Sequence, residues 1–439
     1  MMDWLPIIYL AGGLVVGLIT GLPMAFALAS SSIIVAWIFV GPMSLPFVAT
    51  NIFGMMSNMV LVAMPLFIFM ACVLEKCGVA HALYNFMQQL LGGVRGGLSM
   101  GTVLICTLIA AMSGVTTTGV VTMGIIALPI MLKHGYSKSI AIGPILAGGA
   151  LGILIPPSVS LIIYGMIARV SIGRLFAAGI IPGVMLSILF LSYIGIRCYF
   201  QPHLAPALPR DQRVSLKEKI LLAKGLILPA ILIFSVLGSI FLGIASPTEA
   251  AAVGAAGALV SAAINGRLNW QMVKEASYRT MAVNGMIMWI LFGTSCFTSI
   301  FFRTGGTKLV QDAIIGAGLE PIQFFAIALV IMISFGFFVD EITEMMIIVP
   351  ILLPIVIELG YDPVWFGILF MVEEEMDYLT PPFGFTLFYM KGVAPPEVSM
   401  GDIYRSILPF IAIQFVVMLV ILFFPQITLW LPDVLFGLH

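Results

Sequence analysis

The sequence predicts an all-α polytopic membrane protein built from two inverted repeats, each with a re-entrant hairpin and a broken helix. Three observations lead there: a composition too apolar for a soluble globule, apolar runs long enough to cross a bilayer, and a segment that recurs 225 residues further on. Of the 439 residues 61% are hydrophobic and 9% charged, where soluble domains carry roughly 25% charge. Runs such as "LPIIYLAGGLVVGLITGLPMAFALA", "LILPAILIFSVLGSIFLGI" and "ILPFIAIQFVVMLVILFFPQITLWL" suit helices through a hydrocarbon layer of about 30 Å. Some ten to twelve crossings are expected, roughly one per apolar run of that length. A transmembrane barrel would need short segments alternating polar and apolar residues, and the sequence does not supply them. A net charge of −1 offers no basic surface for nucleic acid. The five cysteines form no CxxC and the four histidines no HExxH, so neither a redox motif nor a metal centre is indicated.

The repeat can be followed residue by residue. "LPIMLKHGY" (128–136) aligns with "LPIVIELGY" (353–361), Pro156-Pro157 with Pro381-Pro382, and Tyr164 with Tyr389, all at the same offset. The chain therefore divides into a first repeat, residues 1–200, and a second, residues 225–439, joined by a polar connector at 201–224. Arg210, Arg213, Lys217, Lys219 and Lys224 cluster in the connector, which the positive-inside rule places in the cytoplasm. Within the first repeat a hairpin is expected near 98–132 and a broken helix near 140–169. The second is expected to place its hairpin near 321–358 and its broken helix near 363–392, followed by a C-terminal helix. Inversion of the second repeat is expected because opposed repeats around a midplane site are a common plan among membrane transporters.

The breaks are chemically the most informative places. Proline lacks an amide donor and pushes its predecessor out of helical dihedrals, so "GGALGILIPPS" and "YLTPPFG" each end a half-helix and release carbonyls from the ladder. Such carbonyls suit a cation, and half-helix N-termini suit an anion. "SGVTTTG" (113–119) is too short and polar for a mid-membrane helix. It is expected to be a hairpin tip presenting the hydroxyls of Ser113, Thr116, Thr117 and Thr118.

Charge is distributed unevenly between the halves. From Lys76 to Arg210 there is no Asp or Glu, whereas residues 309–390 hold eleven acids and no Lys, Arg or His. Asp340, Glu341 and Glu344 cluster at one interruption, and Glu373, Glu374, Glu375 and Asp377 precede another. A carboxylate at the bilayer centre costs about 2.5–3.5 kcal/mol on insertion scales. Asp340, Glu344 and Glu374 are accordingly expected to line a cation or proton path. Another class of function for these acids, general acid/base catalysis by an intramembrane enzyme, finds no nucleophile, metal triad or cofactor motif to support it.

"GGALGILIPPS", "AAMSGVTTTGVVTMG", "DPVWFGILF", "LTPPFGFTLFYMKGVAPP" and "GDIYRSILPF" closely resemble the large membrane subunit, DctM-like, of tripartite ATP-independent periplasmic (TRAP) transporters. The likeness runs over nearly the whole chain. It implies a multi-pass permease of the bacterial inner membrane, of the ion transporter superfamily, with an elevator-type scaffold plus transport domain. It also implies sodium-coupled import of a small organic acid anion, a carboxylate or sulfonate. Coupling to protons or another cation through the acids of 340–377 is the alternative. Two partners are implied, a separate four-helix membrane subunit and a periplasmic substrate-binding protein. The family's sites map to hairpin tips and helix breaks. Substrate is expected at Ser113, Gly114, Thr116, Thr117, Thr118, Pro156, Pro157, Ser158, Thr380, Pro381 and Pro382. Sodium ions are expected at Ser113, Gly148, Gly149, Gly152, Asp340, Glu341, Glu344, Glu374, Thr380 and Gly384. One departure stands out: "EEEMDY" precedes the second break, where the family usually has amide or small polar residues.

Overall fold

A computed structural model describes residues 4–114, 116–209, 219, 225, 227–316 and 318–437, without the side chains of Ser113 and residues 313–315. Arg210, Arg213, Lys217 and Lys224 of the connector lie outside the described residues. Among the described residues all regular structure is helical. The first half runs α1 (Leu5–Ile19), α2 (Met24–Val35), α3 (Ser44–Met56), α4 (Ala63–Lys76), α5 (Val79–Leu91), α6 (Gly97–Ser113), α7 (Thr116–Lys133), α8 (Lys138–Ala150), α9 (Val159–Ala168) and α10 (Ile172–Phe200). The second runs α11 (Ile227–Phe241), α12 (Pro247–Ile264), α13 (Trp270–Arg303), α14 (Gly306–Gly316), α15 (Pro321–Gly336), α16 (Glu341–Glu358), α17 (Pro363–Asp377), α18 (Phe385–Val393), α19 (Met400–Phe423) and α20 (Gln426–Phe436). α7, α8 and α9 thus recur in order as α16, α17 and α18.

Helix starts follow the caps written into the sequence. Ser246 and Glu249 form a reciprocal capping box ahead of α12, and Ser399 and Asp402 do the same for α19. Each box satisfies two amides that the helix leaves orphaned, stabilising it by about 1 kcal/mol. Six described helices are long and apolar enough to cross a membrane, and eight more are apolar but only 10–17 residues long. Fewer full-length spans than the sequence suggested is the physical result of the interruptions, because hairpin arms and half-helices divide the apolar runs between them.

Contacts divide the chain into two compact units, each drawing on both halves. The first comprises residues 1–62, 163–170 and 281–366. Here α1 meets α2 where a Cβ on Gly13 would come within 2.8 Å of Ser31, and Gly293 of α13 lies against the backbone of Ala25. Tyr164 is fully buried in the same unit and its hydroxyl donates to the carbonyl of Pro363 at 2.6 Å. Tyr164→Phe is expected to lower stability by about 1 kcal/mol, seen as a lower midpoint in detergent denaturation with uptake retained.

The second unit comprises residues 63–162, 171–280 and 367–439. Gly254 of α12 packs on Met70 of α4, repeating the α13 on α2 arrangement with the halves exchanged. Two ion pairs, Lys76 with Glu275 and Arg279 with Glu75, tie the end of α4 to the start of α13. The hairpin α6–α7 and both double-proline breaks belong to this unit.

Candidate functional site

The first hairpin turns at Gly114, which ends α6 in the left-handed region with φ 60°. Only glycine adopts that conformation without steric cost. A Cβ there would come within 2.5 Å of the Pro157 carbonyl oxygen, so the tip's backbone lies directly on the break. The arms grip α8 just as closely. A Cβ on Gly149 would come within 2.4 Å of Val120 of α7, and one on Gly148 within 2.8 Å of Cys106 of α6.

Beyond Ala150 the helix tightens into a 3₁₀ turn at Leu151–Ile153 and stops. Gly152 lies inside this turn. The Pro156–Pro157 peptide is cis, as is Pro381–Pro382. The amides of Leu154 and Ile155 both reach back to the Leu151 carbonyl, at 3.2 and 3.0 Å. The Ser158 hydroxyl donates to the Ile153 carbonyl and accepts the Leu161 amide at 3.3 Å, starting α9. Among the described residues no backbone amide donates to the carbonyls of Leu154, Ile155, Pro156 or Pro157. All four residues are buried, and α10 presses onto the turn where a Cβ on Gly179 would come within 2.4 Å of the Leu154 oxygen. A desolvated backbone dipole without a partner costs several kcal/mol, and a group of such carbonyls is suited to a dehydrated cation.

The N-terminus of α7 opens beside this turn. Thr116 is 3% exposed and its hydroxyl has no hydrogen-bond partner among the described residues. Helix amides together with a buried hydroxyl can receive one oxygen of an anion. Thr117 and Thr118 are half-buried, and Thr118 lines an apolar crevice with Thr122, Ala71, Leu74 and Glu75. The structure therefore gathers Gly114, Thr116, Pro156, Pro157 and Ser158, with Gly148 and Gly149 supplying close packing behind them.

The second break is built similarly but is more open. Thr380 donates its hydroxyl to the Met376 carbonyl at 2.7 Å, and its own backbone carbonyl accepts the Gly384 amide at 2.9 Å. A Cβ on Gly384 would come within 2.5 Å of the Tyr378 carbonyl, which already accepts the Thr386 hydroxyl at 2.6 Å. The Pro382 carbonyl accepts the Tyr404 hydroxyl at 3.3 Å. Pro382 is exposed and Pro381 half-buried. α18, which follows, leans on α7 through Met390 and Val393 at Gly124.

The acids fall into separate groups. Asp340 caps α16, one oxygen accepting the Thr343 amide at 3.2 Å and the other its hydroxyl at 2.7 Å. Glu341 is half-buried and Glu344 fully buried in the next turn, all in the first unit. Glu374 is 3% exposed in α17 of the second. The sequence reading did not assign ligand roles to Glu373, Glu375, Asp377 or Gln414, yet all are buried. Oxygens of Glu373 and Asp377 lie within 4.8 Å of each other, as their i, i+4 spacing foretells. For Gln414 the available signal was a lone amide in the apolar run "FIAIQFVVMLV". Lys138 anchors α19 by pairing with Asp402 at 2.8 Å and donating to the Glu397 carbonyl.

The fold and sequence both have relatives. The description "Tripartite ATP-independent periplasmic transporter, DctM component" fits residues 11–427. The chain is 31% identical to the C4-dicarboxylate TRAP transporter large permease protein DctM of Vibrio cholerae, with 97% of each chain covered. It is 33% identical to the ectoine/5-hydroxyectoine TRAP transporter large permease protein UehC of Ruegeria pomeroyi, covering 86% of this chain and 87% of the other. In fold it is similar to the crystal structure of the Alcanivorax borkumensis YdaH transporter, with a TM-score of 0.61 at 16% identity over 92% of this chain and 90% of that one. With its duplicated breaks, apolar helices and full-length likeness, the chain belongs to the DctM family of TRAP transporter large subunits, multi-pass membrane permeases and not enzymes.

Proposed function

We propose that the chain imports a small organic acid anion, a carboxylate or sulfonate, across the bacterial inner membrane by sodium-coupled elevator movement. A periplasmic binding protein delivers the anion, and a separate small membrane subunit completes the permease. The similar permeases of V. cholerae and R. pomeroyi, for C4-dicarboxylate and for ectoine, support the substrate class. The observation that carries the reading is the hairpin tip seated on the first break, where Gly114 meets the Pro157 carbonyl. That junction offers an electropositive helix start and electronegative carbonyls side by side. Sodium held by the carbonyls of 154–157 compensates the charge of an anion held at the start of α7. Each ligand then raises the other's affinity, and this mutual effect is what coupling requires. The first half's lack of acids between Lys76 and Arg210 leaves the anion unrepelled.

Reconstituted uptake with the partner subunits, over a panel of organic acids with and without a sodium gradient, tests this. Sodium-dependent accumulation of one acid supports the reading, and sodium-independent accumulation defeats its coupling. Thr116→Val keeps shape and removes the hydroxyl. It is expected to raise the half-saturating substrate concentration about tenfold, the effect of one lost hydrogen bond of about 1.4 kcal/mol.

A further inference from the structure

The first turns of α13 present two different faces. Met272, Ala276 and Thr280 are buried, and Glu275 and Arg279 beside them pair with Lys76 and Glu75 at the end of α4. Trp270, Lys274 and Tyr278, each one turn from the last, form the opposite stripe. Trp270 is 79% exposed and Tyr278 61%. The Lys274 ammonium lies over the Tyr278 ring, 5.9 Å from its centre. Among the described residues Lys274 has no ion-pair partner, and Glu275, the one acid in α13, is engaged by Lys76 on the other face.

Depth in the bilayer says what covers this stripe. Beyond Arg279 no charge appears in α13 until Arg303, an uncharged run of about 34 Å that matches a hydrocarbon layer of about 30 Å. Tyr278 and Lys274 therefore stand just outside the hydrocarbon, at the level of lipid headgroups. α11 and α12 take the chain across and back, so this end shares the side of the basic connector, the cytoplasmic one by the positive-inside rule, where the leaflet carries anionic lipid. We infer that Trp270, Lys274 and Tyr278 bind the headgroup of one anionic phospholipid. Lys274 pairs with the phosphate, the Tyr278 hydroxyl donates to it while the ring packs on the upper acyl chain, and the Trp270 indole N–H donates from the water side. With no acid on the stripe to receive the cation of a zwitterionic headgroup, a net-anionic lipid is preferred. The inference does not rest on the transport reading, and either can fail alone.

The test follows acetylation of lysines in the full-length wild-type chain by peptide mass spectrometry, in nanodiscs of phosphatidylglycerol or of phosphatidylcholine with the same acyl chains. Lys133, exposed at the end of α7, reports the general effect of a negative surface at the same side. Phosphatidylglycerol is expected to slow labelling of Lys274 about fivefold more than that of Lys133, equivalent to the gain of about 1 kcal/mol for a basic residue at an anionic surface. Equal slowing of the two lysines overturns the inference. Equal protection of Lys274 by inorganic phosphate in phosphatidylcholine nanodiscs also overturns it and marks a site for free anions instead. Trp270→Ala combined with Tyr278→Ala, two exposed positions, is expected to remove the extra protection, and its full retention overturns the role given to the rings.

Discussion

Replacing Gly114 with valine is expected to cut substrate uptake about 100-fold, the scale of loss that a 1 Å misplacement of reacting or binding groups produces. Two effects combine. Valine is β-branched and pays heavily for φ 60°, with a cost of order 1–3 kcal/mol for a non-glycine residue held in such a region. Its Cβ would also lie 2.5 Å from the Pro157 oxygen, against 3.4 Å for ordinary contact, so the tip must lift off the break. Lifting separates the start of α7 from the carbonyls of 154–157 without exposing the hydrophobic core. The variant should therefore still insert and purify as a monodisperse protein. Uptake in proteoliposomes checks the first expectation and size-exclusion chromatography the second. Full uptake would show that the tip's seating on the break is irrelevant to transport.

Gly149→Leu is expected to act on stability first. Here the Cβ alone would meet Val120 Cγ2 at 2.4 Å and the Val120 amide nitrogen at 3.0 Å. Overpacking of this kind costs about 1–3 kcal/mol, occasionally more. The backbone contact matters most, since a side chain can turn aside and the amide of a packed helix cannot. Denaturation in mild detergent should show the lower midpoint, and uptake should fall with it. Gly12→Leu supplies the control, because a Cβ at Gly12 meets nothing within 4 Å. It should leave uptake unchanged and the midpoint unchanged or slightly higher, leucine being the better helix former.

Much of the architecture was legible because proline and glycine act locally. The offset between "LPIMLKHGY" and "LPIVIELGY" reappears as α7 and α16, since the residues that start and stop those helices are repeated with it. The Pro156-Pro157 and Pro381-Pro382 pairs mark true interruptions for the same reason. Packing across the halves could not be read. Nothing in "AAAVGAAGALV" says that Gly254 serves α4 of the other half while Gly257 serves Leu232 of its own, because small residues permit close approach without naming the partner. Individual ligand roles were also hidden. Ser158 and Thr380 looked available in sequence, yet their hydroxyls bond to nearby carbonyls at the breaks. Asp340 has the composition of a ligand and the local geometry of a helix cap. Gln414, a single amide in an apolar run, gave no sign in sequence that it would be fully buried with no hydrogen-bond partner among the described residues.

The central claim is that the hairpin tip and the interrupted helix together hold the transported solute and its ion. A cryo-electron microscopy map of the permease with saturating sodium and an identified substrate tests it most directly. The expected result is density for the anion at the start of α7, within hydrogen-bonding distance of Thr116, and for an ion among the carbonyls of Leu154 to Pro157. Substrate resolved away from this junction, with those carbonyls facing only protein, would contradict the account.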